Sequence, residues 1–138
     1  MLVVVGLSHR TAPVEVRERL AVSADQMAAV LGAFAGQPSV GEVMCVSTCN
    51  RVEVVAAPPP GAQVDLERVA EEVMAALEGF ATPGPGAALR PHLYRKVGKD
   101  AVQHLFRVAS SLDSIVVGEP QILGQVKQAF EAAQAAGT

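Results

Sequence analysis

Two short Val-rich runs, Val40 to Ser47 and Val52 to Ala56, are separated by four polar residues, Thr48-Cys49-Asn50-Arg51. Nothing else in the chain constrains its fold as tightly. Apolar, β-branched runs of this length read as strands, and so short a polar turn between them makes a strand pair with Cys49 at its mouth. Pro58-Pro59-Pro60-Gly61 stops the second run. Upstream, Leu2 to Leu7 reads as a buried strand, and Pro13 opens a short charged helical turn, Val14 to Leu20. Ser23 followed by Gln26 has the form of a capping box, and Met27, Val30, Leu31 and Phe34 recur at helical spacing before Gly36 and Pro38. Leu66, Val69, Ala70, Val73 and Leu77 make a second helical stripe closed by Gly79, and Leu93 to Val97 is predicted as a last strand. Strand, helix, two strands, helix, strand predicts an α+β fold, with a ferredoxin-like βαββαβ sandwich lobe over residues 1–97. From Asp100 the spacing is helical, with Val102, Leu105, Phe106 and Ala109 as the core face, and Gly118-Glu119-Pro120 starts a final helix through Ala136. Residues 98–138 are therefore predicted as a C-terminal helical lobe.

At 138 residues, half of them apolar, the chain is long enough for one domain with a real core. Fourteen acidic against eleven basic residues give a net charge of -3, which excludes a grip on nucleic acid through a uniform field. Any RNA contact must be local, and DNA is not an expected partner. No apolar run is long enough to span a bilayer, and Met1 to Gly6 lacks the basic leader of a signal peptide, so no membrane partner is expected. Cys45 and Cys49 are too few for a disulfide framework, and their CxxxC spacing has no histidine-rich companion to suggest zinc. Free thiols in a reducing cytoplasm are the expectation. Gly84-Pro85-Gly86 lacks the third glycine of a dinucleotide fingerprint and is flanked by prolines, so no dinucleotide site is expected in this chain.

Among residues that could carry chemistry, Cys49 has Arg51 two residues on, and positive charge favours a reactive thiolate. A small residue filling a loop is the competing reading. Cys45, within Val43-Met44-Cys45-Val46, reads as core filler. On a helical projection His104 falls opposite Val102, Leu105, Phe106 and Ala109, beside Arg107 and Ser111, so it is expected on the exposed face, as a base or simply solvated. His9 and His92 have no specific case. Gln121, Gln125 and Gln128 share one face of the last helix, opposite Ile122, Val126, Ala129, Phe130 and Ala133. That amide row either reads a polar ligand or is solvated. Glu119 at the helix start serves equally as a cap or as a ligand. Arg90, Arg95, Lys96 and Lys99 form the densest basic stretch, suited to phosphates or to water.

Four blocks, in order, resemble one family. Gly6-Leu7-Ser8-His9-Arg10-Thr11-Ala12-Pro13-Val14 with Arg17-Glu18, then Ser47-Thr48-Cys49-Asn50-Arg51-Val52-Glu53, look like glutamyl-tRNA reductase signatures. So do His104 to Ser114 and Gly118-Glu119-Pro120-Gln121-Ile122-Leu123-Gly124-Gln125-Val126. Ser111 departs from the family, which often has glycine there. The resemblance implies a glutamyl-tRNA substrate, NADPH as reductant and glutamate-1-semialdehyde as product, at the start of tetrapyrrole synthesis. It makes Cys49 the nucleophile that forms a glutamyl thioester, and His104 the acid/base residue, assisting either the leaving ribose hydroxyl or the thiol. Thr48, Asn50, Arg51, Ser114, Glu119, Pro120, Gln121 and Gln125 are implied to border the glutamyl group, with an Arg fork suited to its γ-carboxylate and Glu119 to its α-ammonium. Family members continue into an NADPH domain and a helical domain that makes homodimers. This chain stops at Gly137-Thr138, so residues 1–138 alone are expected to lack reductase activity. The rival readings are a cysteine thioesterase or acyltransferase, and a non-catalytic ferredoxin-like module for an amino acid or RNA.

Overall fold

The computed structural model describes residues 1–82, 88–112 and 121–138. Four strands, β1 (Val3–Ser8), β2 (Glu42–Ser47), β3 (Arg51–Ala57) and β4 (Tyr94–Val97), form one sheet in the order β2-β3-β1-β4. Every neighbouring pair is antiparallel. The helices are α1 (Val14–Glu18), α2 (Ala24–Ala35), α3 (Leu66–Phe80), α4 (Lys99–Ala109) and α5 (Gln121–Ala136). This mixed α/β order follows the sequence reading, including the short last strand.

Strand alternation divides the sheet into two faces. Val3, Val5 and Leu7 of β1 with Val52, Val54 and Ala56 of β3 join Val30, Leu31 and Phe34 of α2 and Val69, Ala70, Val73 and Leu77 of α3 in the main core. The stripes predicted for α2 and α3 are the ones buried. At the start of α2 the Gln26 side chain accepts from the Ser23 N–H at 3.2 Å, the expected cap contact. The other face of the sheet has a smaller apolar cluster, Val4, Val55 and Ala101, with Leu105 packed against it. Beside that cluster the face is polar, as described below.

The two C-terminal helices correct two expectations. In α4 the buried residues are Ala101 and Val108, while Phe106 is 72% exposed. His104, predicted outward, turns toward the sheet, and its side chain is 11% exposed. The helix lies over a polar part of the sheet, so its inward face carries the residue that meets polar partners and not its widest apolar stripe. In α5, Ile122, Ala129 and Ala133 are buried as expected, but Phe130 is 54% exposed. Gly84-Pro85-Gly86, Ser114, Glu119 and Pro120 lie outside the described residues.

Two backbone positions have strict requirements. Gly6 pairs with Glu53 on one side and Tyr94 on the other, and a Cβ there would stand 2.2 Å from the Val52 carbonyl oxygen and 2.8 Å from the Glu53 Cα. Both are backbone atoms that a rotamer change cannot move. Ser111, where the family often has glycine, holds a left-handed φ of 65°, a conformation that costs an L residue about 1–2 kcal/mol. In urea unfolding, Gly6→Ala should lose about 2 kcal/mol or more through forced separation of β1 and β3. Ser111→Gly should change stability by less than about 1 kcal/mol, relief of the left-handed strain being offset by the greater entropy of glycine in the unfolded chain and by loss of the buried hydroxyl.

Candidate functional site

Cys49 sits in the turn between β2 and β3, and the sequence closes that turn through Thr48. The Thr48 N–H donates to the Arg51 carbonyl at 2.8 Å, while the Thr48 hydroxyl oxygen accepts from the N–H groups of Asn50 at 3.1 Å and Arg51 at 3.2 Å. A hydroxyl taking over acceptor duty from the backbone is the usual reason for Thr in such a turn. Two contacts tie the turn to the loop after β1. The His9 N–H donates to the Asn50 carbonyl at 2.8 Å, and Arg17 donates through Nε to the Cys49 carbonyl at 3.2 Å and through Nη1 to that of Ala12 at 2.8 Å. Cys49 is therefore exposed on a pinned backbone.

The other cysteine has the opposite character. Cys45 is 1% exposed, and burial, with the nearby Glu53 charge adding to it, pushes its thiol up to about 12. A thiol so placed is inert at neutral pH.

Thr48, Cys49, Asn50 and Arg51 line a small recess of about 40 Å³ together with Gln121, Ile122 and Gln125 from α5. Six expected substrate contacts thus meet in one place: the four turn residues, Gln121 and Gln125. Gln128, on the same predicted face, does not line the recess. The cavity itself has room for little more than water, with the exposed Cys49 among its lining residues.

Beneath the turn lies a cluster that the sequence reading did not single out. Arg51 is 1% exposed and Glu53 fully buried, and Arg51 Nη1 donates to Glu53 Oε1 at 2.8 Å. The same oxygen receives the Tyr94 hydroxyl and lies 2.7 Å from His104 Nε2. The Tyr94 and His104 rings stand 5.4 Å apart, tilted by 58°. Register explains the convergence. Glu53, Gly6 and Tyr94 form one row across β3, β1 and β4, and the missing side chain at Gly6 leaves the space over β1 in which carboxylate and phenol meet. α4 then lowers His104 onto that gap. The available signal was a lone carboxylate inside the Val-rich run Val52 to Ala56, since a charge in a buried strand requires partners.

Burial pushes the Glu53 carboxyl up, but the hydrogen bond and charge of His104, with Arg51 and Tyr94, outweigh it and hold Glu53 below the usual carboxylate range. His104 does not line the recess of Cys49 among the described residues. It faces a second cavity with Ser8, Arg10, Thr11, Tyr94 and Lys96. A single carboxylate oxygen bridges its imidazole and the guanidinium of Arg51, a residue that borders the recess.

Neither a metal-binding group of His, Cys, Asp or Glu nor a helix long and apolar enough to cross a membrane occurs among the described residues.

Fold and recess together define a mixed α/β domain that offers one exposed thiol beside a buried ion pair. The family model described as the N-terminal domain of glutamyl-tRNA(Glu) reductase matches residues 5–138. Over 99% of its length the chain is 49% identical to a glutamyl-tRNA reductase of Sorangium cellulosum, and over 98% it is 51% identical to that of Syntrophotalea carbinolica. It spans 28% and 29% of those relatives. The solved glutamyl-tRNA reductase from Methanopyrus kandleri superposes with a TM-score of 0.72 at 34% identity, over 99% of this chain and 29% of that one. The chain belongs to the glutamyl-tRNA reductase family, as its N-terminal domain.

A lowered Glu53 pKa means stability that is fully present above the ordinary glutamate pKa of about 4.3 and is lost as pH falls through the depressed folded value. Glu53→Gln should flatten this acid limb in urea titrations. At neutral pH it should also destabilise the fold, because the buried Arg51–Glu53 ion pair and the His104 contact lose their negative charge.

Proposed function

We propose that these residues form the substrate-capturing part of an NADPH-dependent glutamyl-tRNA reductase of tetrapyrrole synthesis, with Cys49 as nucleophile. The observation that carries the reading is the exposed Cys49 on a pinned turn, sharing a recess with Thr48, Asn50, Arg51, Gln121 and Gln125, while Cys45 is sealed in the core. The Cys49 thiolate attacks the ester carbonyl of glutamyl-tRNA. A C–S bond forms, the C–O bond to the terminal ribose breaks, and the ribose oxygen takes a proton. The glutamyl group stays as a thioester, at the mouth of a recess bordered by amide, hydroxyl and guanidinium groups. The Arg51 edge that lines the recess suits its γ-carboxylate, and Ser114, Glu119 and Pro120 complete the set by family resemblance.

Of the two roles for His104, assistance to the leaving ribose hydroxyl fits the geometry better. Its Nε2 is committed to Glu53 and it lines the cavity of Ser8, Thr11 and Lys96, so its proton exchange is assigned to the ribose side of the ester. With Nε2–H held on the Glu53 carboxylate, protonation of the departing oxygen requires a proton on Nδ1 as well, so the acting form is the imidazolium, whose charge Glu53 balances.

NADPH does not fit onto the described residues. Dinucleotide sites of this kind use the C-terminal edge of parallel strands and a glycine-rich turn, whereas all four strands here are antiparallel. Hydride delivery accordingly belongs to other parts of the enzyme. The sheet order, with α2 and α3 on one face, supports the ferredoxin-like assignment of residues 1–97, followed by the helical segment 98–138.

Mass spectrometry of the protein mixed with glutamyl-tRNA should find one glutamyl adduct, on Cys49. Cys49→Ser should abolish it and Cys45→Ser should retain it; equal loss in both would indicate a folding defect and remove the support for a nucleophile. Equal transfer from free acyl thioesters would favour the thioesterase reading instead.

A further inference from the structure

The second cavity, about 580 Å³, is bounded by Ser8 at the end of β1, Arg10 and Thr11 of the loop that follows, Tyr94 and Lys96 of β4, and Asp100, Gln103, His104 and Arg107 of α4. Its volume suits a nucleotide-sized ligand. Three cations face one carboxylate there, in a chain whose net charge is -3. Strand alternation produces this separation. Arg95 points to the α3 side, where it lies 3.4 Å from Glu67, and Arg90 is paired with Glu71 and Glu78. Lys96, one residue on, pairs in register with Val4 and turns to the α4 side. Among the described residues neither Lys96 nor Arg107 has a carboxylate partner, and both are exposed. Lys96 and Arg107, unmatched among the described residues, suit an anion, and the hydroxyls of Ser8 and Thr11, the Gln103 amide and the tilted Tyr94–His104 ring pair add what a ribose and a base use.

We infer that this cavity holds the 3′-terminal ribose-phosphate of the tRNA, with Lys96 and Arg107 on its phosphates. The inference rests on the function proposed above and adds where the leaving tRNA sits. The loop that borders the cavity is bonded directly to the Cys49 turn through His9 N–H and the Asn50 carbonyl. The chain end in the cavity and the esterified glutamate at Cys49 are thus held by one connected piece of backbone, with His104 on the cavity side.

The test uses the full-length protein and a short labelled RNA stem ending in a single-stranded 3′ tail, without an amino acid, titrated over a range of KCl. Lys96→Gln and Arg107→Gln should each weaken binding severalfold and reduce the log–log salt slope by about 0.7–0.9, the share of one phosphate contact. The double variant should lose about twice that. Arg68→Gln, an exposed substitution on α3, should change neither quantity. A blunt stem should make all variants equivalent. Unchanged slopes in Lys96→Gln and Arg107→Gln overturn the inference, as do effects that persist on the blunt stem or complete displacement of the RNA by inorganic phosphate at millimolar level. Glutamyl transfer to Cys49 is read separately. Absent transfer with the expected slopes counts against the proposed chemistry and leaves the RNA site standing, whereas normal transfer with unchanged slopes counts against the RNA site alone.

Discussion

A carboxylate without solvent access organises the polar half of this domain. Glu53 is fully buried, and desolvation alone would favour its neutral form, but one of its oxygens receives Arg51, Tyr94 and His104. Those three partners come from the same strand, from the edge strand and from a helix on the far side of the sheet. Each would be badly placed if another moved. A buried charge is tolerated only while its partners are present, so the cluster locks β3, β1, β4 and α4 into one relative position. The absence of a side chain at Gly6 is the steric condition for that arrangement.

The same cluster separates two surfaces that the proposed reaction uses together. On one side Arg51 borders the recess with Cys49, and on the other His104 borders the cavity with Lys96 and Arg107. Among the described residues the thiol and the imidazole line different cavities. Against an ester already activated by a ribose leaving group, protonating the departing oxygen matters as well as deprotonating the attacker. Cys45, only four residues from Cys49, shows how completely location governs thiol chemistry. Its sulfur is in the core beside a negative charge, and its pKa is driven up to about 12.

Much of the fold was legible because it depends on local periodicity. The Val-rich runs became strands, the stripes of α2 and α3 became the core face, and the four-residue turn put Cys49 outside. The misreadings fell on α4 and α5. In α4 the widest apolar stripe was taken as the inward face, whereas Phe106 is exposed and His104 is turned in; in α5 Phe130 departs, while Ile122, Ala129 and Ala133 of the same stripe are buried. Periodicity assigns the inward face by apolar content, and this fails for a helix laid over charged residues of a sheet. Within the expected site, Thr48, Cys49, Asn50, Arg51, Gln121 and Gln125 do share a recess, but the ion pair that occupies Arg51 was not visible from the turn motif.

The sequence by itself determined which segments are strands and helices, that the β2–β3 turn is polar and presents a thiol, and, through its four motif blocks, the family. Those are properties of neighbours in the chain, where spacing, turn chemistry and residue order suffice. Tertiary structure decided that Glu53 is buried with three partners and, among the described residues, that His104 and Cys49 line different cavities and that Lys96 has no counter-charge while Arg95 is matched. The physical reason is that Tyr94 and His104 lie 41 and 51 residues from Glu53 along the chain. Whether a charge is paired depends on which distant groups strand register and helix docking bring within about 3 Å of it.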